Sequence, residues 1–177
     1  MKIGKTKLEV VCGDITRMSV EAVVNPANDM LWMGGGVSSQ IRKAGGDSIE
    51  QEALAKAPAA IGDAVVTDAG DLHARKVIHA VITGQDLVAT EPAIRGAVTS
   101  SLKQADSLHF TSIALPMLTT DISHIEVHIA ACIIVEETVN YLINSNKSLE
   151  YVVFVEKDET IRDIINNALM EMFTKHG

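Results

Sequence analysis

A chain of 177 residues with a formal net charge of −8 carries no basic stripe to exchange for counterions, which argues against nucleic acid as its partner. Hydrophobic residues make up 47% of it but aromatics only 3%, so Val, Ile, Leu, Ala and Met must fill the interior, as in sheets covered by helices on both faces. The length suits one core and no linker or repeat divides the chain, so a single domain over residues 1–177 is expected.

In chain order, short β-rich runs alternate with longer helical ones. The first residues hold lysines but no apolar stretch long enough for a signal peptide. Residues 7–12 read as a strand, ended by Gly13-Asp14-Ile15-Thr16 with an exposed carboxylate on Asp14. A second strand at 22–25 leads into Asn25-Pro26-Ala27-Asn28, and Gly34-Gly35-Gly36-Val37-Ser38 opens a helix at 37–44 that Gly45 and Gly46 stop. A helix at 48–57, strands at 63–67 and 76–82, a helix at 92–106 and a strand at Ser112–Leu115 follow. A helix at 125–144, a strand at 151–155 and a helix at 160–175 capped by Asp158 complete the chain. In the last helix Ile161, Ile164, Ile165, Ala168, Leu169 and Met172 fall on one stripe. The alternation predicts an α/β fold: a three-layer α/β/α sandwich on a mixed, mainly parallel sheet, with ligands bound beyond the carboxyl ends of the strands.

A strand, a polar turn and a glycine-rich helix start aim free N–H donors at one point, where the helix dipole also favours negative charge. Gly34, Gly35 and Gly36 let a ligand approach the backbone with no Cβ in the way. The pattern is neither GxxxxGK[ST] nor GxGxxG, so neither a Walker NTPase nor a Rossmann dehydrogenase is supported. Three glycines alone weigh equally as a flexible turn, and Asp14 alone reads as a turn or cap residue. Together, Gly13-Asp14-Ile15-Thr16, Val20-Glu21-Ala22-Val23-Val24-Asn25-Pro26-Ala27-Asn28 and Gly34-Gly35-Gly36-Val37 stand in the order and spacing of the macro domain family of ADP-ribose-binding modules, which the chain resembles. Gly62-Asp63-Ala64-Val65-Val66-Thr67, Val77-Ile78-His79 and Ile113-Ala114-Leu115-Pro116 match more loosely.

The resemblance implies that Asp14 and the Ile15 backbone hold adenine and that the Gly35–Ser38 amides, with Gly34 beside them, cradle a diphosphate. It implies further that Asn28 faces the distal ribose. It suggests binding of ADP-ribose or a related nucleotide diphosphate, with an ADP-ribosylated protein as a further partner. Three departures from the family pattern stand out. Ser38 occupies the position of an acidic residue in the hydrolytic branch, which weakens the alternative of a hydrolase of ADP-ribosyl or O-acetyl-ADP-ribose esters with Asn25 and Asn28 positioning substrate and water. The second phosphate loop reads Met117-Leu118-Thr119-Thr120-Asp121-Ile122-Ser123-His124, with hydroxyl donors on Thr119, Thr120 and Ser123 but Asp121 where the family has a glycine. Val155 stands where the family tends to place an aromatic that stacks on adenine, and Phe154 points to the opposite face. The last two motivate a third reading, a macro fold that has lost ADP-ribose binding.

Other candidates have plainer readings. His124 and His128 have helical metal-ligand spacing but no evident third ligand, so no metal and no cofactor is expected. His79 reads as a core histidine with a bonded ring, and Glu136-Glu137 as a solvated helix face. Cys12 and Cys132 sit in apolar runs and read as buried free thiols of a reducing compartment. The apolar run at 129–135 is too short to span a bilayer, so no membrane partner is expected and the location reads as cytoplasmic.

Overall fold

The β-branched runs form strands and the runs of helical spacing form helices in a computed structural model that describes residues 1–119 and 125–176. The strands are β1 (Lys2–Ile3), β2 (Thr6–Cys12), β3 (Ala22–Asn28), β4 (Ala64–Asp68), β5 (Lys76–Thr83), β6 (Ser112–Leu115) and β7 (Tyr151–Glu156). The helices are α1 (Gly36–Gly45), α2 (Ser48–Ala55), α3 (Glu91–Ser107), α4 (Val127–Asn144) and α5 (Glu159–His176), with one 3₁₀ turn at Ile15–Arg17. Two differences from expectation matter. β1 adds a two-residue antiparallel edge on β2. β3 runs on to Asn28, and beyond Val23 it pairs with β5 alone, so it is locally an edge on which Pro26 is tolerated.

The strand order is β1-β2-β7-β6-β3-β5-β4. The inner pairs are all parallel, and only the outermost, β1 with β2 and β4 with β5, are antiparallel. Successive side chains point to opposite faces of a strand, which sorts the core into two layers. Val24, Ile78 and Phe154 pack on one face against Ile94 and Val98 of α3, Ile134 of α4 and Ile165 of α5. Val23, Val77, Val153 and Val155 pack on the other against Ile41 of α1 and Ile49 of α2. The α5 stripe turns to the first of these layers, and Asp158 caps the helix by accepting from the amides of Thr160 (2.8 Å) and Ile161 (3.1 Å).

Two sequence readings need correction. Glu136 and Glu137 form an ion-pair bridge rather than a solvated face: Arg95 of α3 donates to Glu136 (3.0 Å) and Glu137 (2.8 Å) of α4. Cys12 is exposed, because it ends β2 at the rim of the sheet, and Cys132 is half-buried; both are free thiols. Among the described residues no helix is long and apolar enough to cross a membrane.

Asp106, near the end of α3, is the tie between three elements. Its carboxylate accepts from the Tyr141 hydroxyl of α4, from the Lys147 amide (3.1 Å) and from the amide (2.9 Å) and hydroxyl (2.8 Å) of Ser148. Burial alone would raise its pKa, but these donors outweigh burial and hold it below the usual carboxylate range. Asp106→Ala strands the buried Tyr141 hydroxyl and the part-buried donors of Lys147 and Ser148 at once and is expected to cost roughly 3 kcal/mol in urea denaturation; a loss below about 1 kcal/mol would contradict this account.

Candidate functional site

The loop from β3 to α1 passes over the carboxyl ends of the central strands. α1 begins at Gly36 with φ +55°, a left-handed start that favours glycine, and its N-cap Gly35 offers no side chain to the first turn. The first intrahelical bond runs from the Ser39 amide to the Gly35 carbonyl (3.3 Å), so the preceding amides of the turn are the ones a helix start leaves for a ligand. The glycines have separate jobs. Among the described residues a Cβ on Gly35 would meet nothing within 4 Å, whereas one on Gly34 would lie 2.7 Å from the Trp32 ring. Gly34 is therefore needed so that Trp32 can lie on the loop.

Two hollows flank this turn, and Gly36 and Val37 line both. The larger, about 350 Å³, is walled by Pro26, Asn28, Trp32, Leu87, Met117 and Leu118. The smaller, about 260 Å³, lies between Gly13, Ile15, Pro116, Val155 and Ile161. An elongated ligand can thus place one end in each hollow with its middle over the helix start. Glu156 joins the rims by accepting from the Met117 amide (2.7 Å), which ties the end of β7 to the loop after β6.

Beneath the loop runs a buried polar chain. Ser38 of α1 donates to Asn25 Oδ1 of β3 (2.8 Å), and the Asn25 amide donates to His79 Nδ1 of β5 (3.1 Å). His79 therefore carries its proton on Nε2 and donates to Thr67 of β4 (2.9 Å), whose hydroxyl reaches the Asp68 carbonyl (3.1 Å). Asn25 and His79 are wholly buried. Desolvation, with a smaller contribution from the charge of Lys56, lowers the His79 pKa from 6.5 to about 4, so the ring is neutral at physiological pH.

At the far end of the smaller hollow Asp14 caps the 3₁₀ turn, accepting from the Thr16 amide (2.9 Å) and hydroxyl (2.7 Å). Its other oxygen faces Lys157 Nζ at 3.7 Å. Burial acts to raise the pKa of Asp14, but the Thr16 donors and the lysine prevail and the group is held ionised below its ordinary range.

Asn28 lines the larger hollow with a fixed amide. Its Oδ1 accepts from the Met30 amide (3.1 Å) and from Gln85 Nε2 (3.2 Å), and its Nδ2 donates to the Trp32 carbonyl (3.0 Å). A backbone N–H only donates and a carbonyl only accepts, so the amide has one orientation. Both oxygen lone pairs are engaged and a single N–H is left for a ligand.

The expected site residues thus fall into three groups. Ile15, Asn28, Gly34, Gly35, Gly36, Val37, Ser38 and Val155 line the two hollows, with Asp14 beside Gly13 and Ile15 at the edge. Asn25 is brought under the loop and lines neither, and Thr119 is buried with no partner on its hydroxyl among the described residues. Thr120, Asp121, Ile122, Ser123 and His124 lie outside the described residues. Sequence reasoning missed Trp32, Gln85 and Leu87, and it placed Met117 and Leu118 in the second phosphate loop without naming them as walls of the hollow. Trp32, the one tryptophan, two residues before the glycine run, carried a usable signal; Gln85 carried none, being 57 residues from the Asn28 it touches.

Comparison with known proteins bears on the family and the fold. The family model described as Macro domain matches residues 24–134. A protein of Aquifex aeolicus is 38% identical over 86% of this chain and 91% of its own length. A macro domain-containing protein of Caldanaerobacter subterraneus is 35% identical over 87% of this chain and 92% of its own. The Oceanobacillus iheyensis macrodomain, solved with ADP, superposes with a TM-score of 0.88 at 27% identity, covering 99% of this chain and 96% of that one. A mutant of that macrodomain has been solved with ADPR.

Proposed function

The chain belongs to the macro domain family, and from that premise we propose that it is a single-domain receptor for ADP-ribose, free or attached to a protein. The observation that carries this reading is the pair of hollows joined at the Gly36-Val37 helix start, a shape matching two nucleoside-like ends with a diphosphate between them. Asp14 receives the adenine amino group on the oxygen that faces Lys157, and the aliphatic wall of Ile15, Val155 and Ile161 holds the ring where an aromatic is lacking. The amides from Gly35 to Ser38 take the diphosphate. Asn28 gives its remaining N–H to an oxygen of the distal ribose. The free thiols suit a reducing cytoplasm. A chain of net charge −8 can hold this dianion because local dipoles outweigh distant charges.

The larger hollow also favours capture over hydrolysis. Among the described residues that line it none is ionisable, the Ser38 hydroxyl is spent on Asn25, and Asn28 has no free acceptor with which to orient water. Calorimetric titration is expected to give a micromolar Kd, near −8 kcal/mol, with no ADP-ribose released from a mono-ADP-ribosylated protein. Asn28→Ala is expected to weaken ADP-ribose by about tenfold, or 1.4 kcal/mol, while leaving ADP, which lacks the distal ribose, unchanged. Absence of heat at millimolar ADP-ribose from folded protein overturns the proposal.

A further inference from the structure

Gln85, in the turn between β5 and α3, touches two residues that line the larger hollow, Asn28 and Trp32, and the neighbouring Asp29. Its Nε2 donates to Asn28 Oδ1 (3.2 Å) and to Asp29 Oδ1 (2.6 Å), and its Oε1 accepts from the Trp32 indole N–H (2.9 Å). Each partner has only one possible role: the indole donates, the carboxylate accepts, and Asn28 Oδ1 is already marked as an acceptor by the Met30 amide. The three bonds are mutually consistent in one orientation of the Gln85 amide and one of the Asn28 amide.

We infer that Gln85 is a positioning residue that sets the specificity of the distal half of the pocket. It acts in two ways. By occupying the second lone pair of Asn28 Oδ1 it leaves that amide as a pure donor toward the ligand, which selects a hydroxyl or carbonyl oxygen at that point. By holding the indole it keeps the Trp32 ring against Gly34, where any side chain larger than hydrogen would collide with it, and so fixes the outer wall of the cavity. Both effects fall on the part of the ligand beyond the diphosphate. The adenine hollow, formed by other residues, is untouched.

The inference rests on the ADP-ribose reading, and ADP and ADP-ribose together separate the two. Gln85→Leu removes all three bonds; Gln85→Glu keeps an acceptor for the indole while removing both donors. For Gln85→Leu we expect ADP-ribose affinity to fall about tenfold and ADP affinity by less than twofold. The emission of the sole tryptophan should shift to the red as the ring leaves the loop. For Gln85→Glu, which sets a carboxylate oxygen against Asp29 and Asn28 Oδ1 where the amide donated, we expect the same loss of ADP-ribose affinity. A general loss of structure would weaken both ligands equally, so an unchanged ratio of ADP-ribose to ADP affinity in either variant overturns the inference. If the wild-type chain binds neither ligand, the functional reading fails on its own. Unshifted emission in Gln85→Leu then overturns the Gln85 clamp independently.

Discussion

Gly70→Ala is expected to destabilise the protein by at least about 3 kcal/mol, lowering Tm by roughly 10 °C. Two effects add. Gly70 has φ +54°, a left-handed conformation that costs an L-residue about 1–2 kcal/mol. A Cβ there would also stand 2.0 Å from the Gly45 carbonyl oxygen, which is backbone and accepts from the Asp71 amide (2.9 Å), so it cannot yield by a rotamer change. Gly4 provides the control: it has φ +55° but open space around its Cβ, so Gly4→Ala should show the first cost alone, about 1 kcal/mol. Equal shifts in Tm for the two variants would refute the close approach. Gly45 ends α1, the helix whose other end forms the glycine turn proposed to take the diphosphate, so Gly70→Ala should also weaken ADP-ribose binding.

The second large effect is a pH dependence from His79. Its pKa is about 4 in the folded protein against 6.5 when exposed, so between those values the unfolded chain binds a proton that the native one does not. Stability is therefore fully present above pH 6.5 and is lost as pH falls toward 4, by about 3 kcal/mol in all. His79→Gln, which keeps an amide donor and acceptor in the same interior, should cost stability at pH 7 yet flatten the curve across this window. Parallel stability curves for the two proteins between pH 4 and 6.5 would rule out the buried neutral ring.

Much of the fold was legible because its signals are local. Short apolar runs bounded by Gly, Asp, Asn or Pro marked β2 to β7, and the Ile-rich stripe with Asp158 before it marked α5. The glycine run and the two asparagines of Asn25-Pro26-Ala27-Asn28 marked the site for the same reason. What was not legible depends on contacts made across the chain. Asn25 and Asn28 look alike in sequence, yet one lies under the loop bonded to His79, 54 residues away, and the other faces the cavity. Asp14 was read as an exposed carboxylate, but only the pairing of β2 with β7 brings Lys157 beside it. The two glutamates of α4 could not be read as a bridge until α3 supplied Arg95.

The buried chain from Ser38 through Asn25 and His79 to Thr67 joins the start of α1 to three strands, so the loop cannot shift without breaking bonds inside the core. The ordering entropy of the loop is accordingly spent when the protein folds rather than when a ligand arrives. Association should then resemble rigid docking, with a favourable entropy that a flexible glycine loop would forfeit. Loosening the chain at Ser38 should show as a slower on-rate, as the loop visits its competent shape only part of the time.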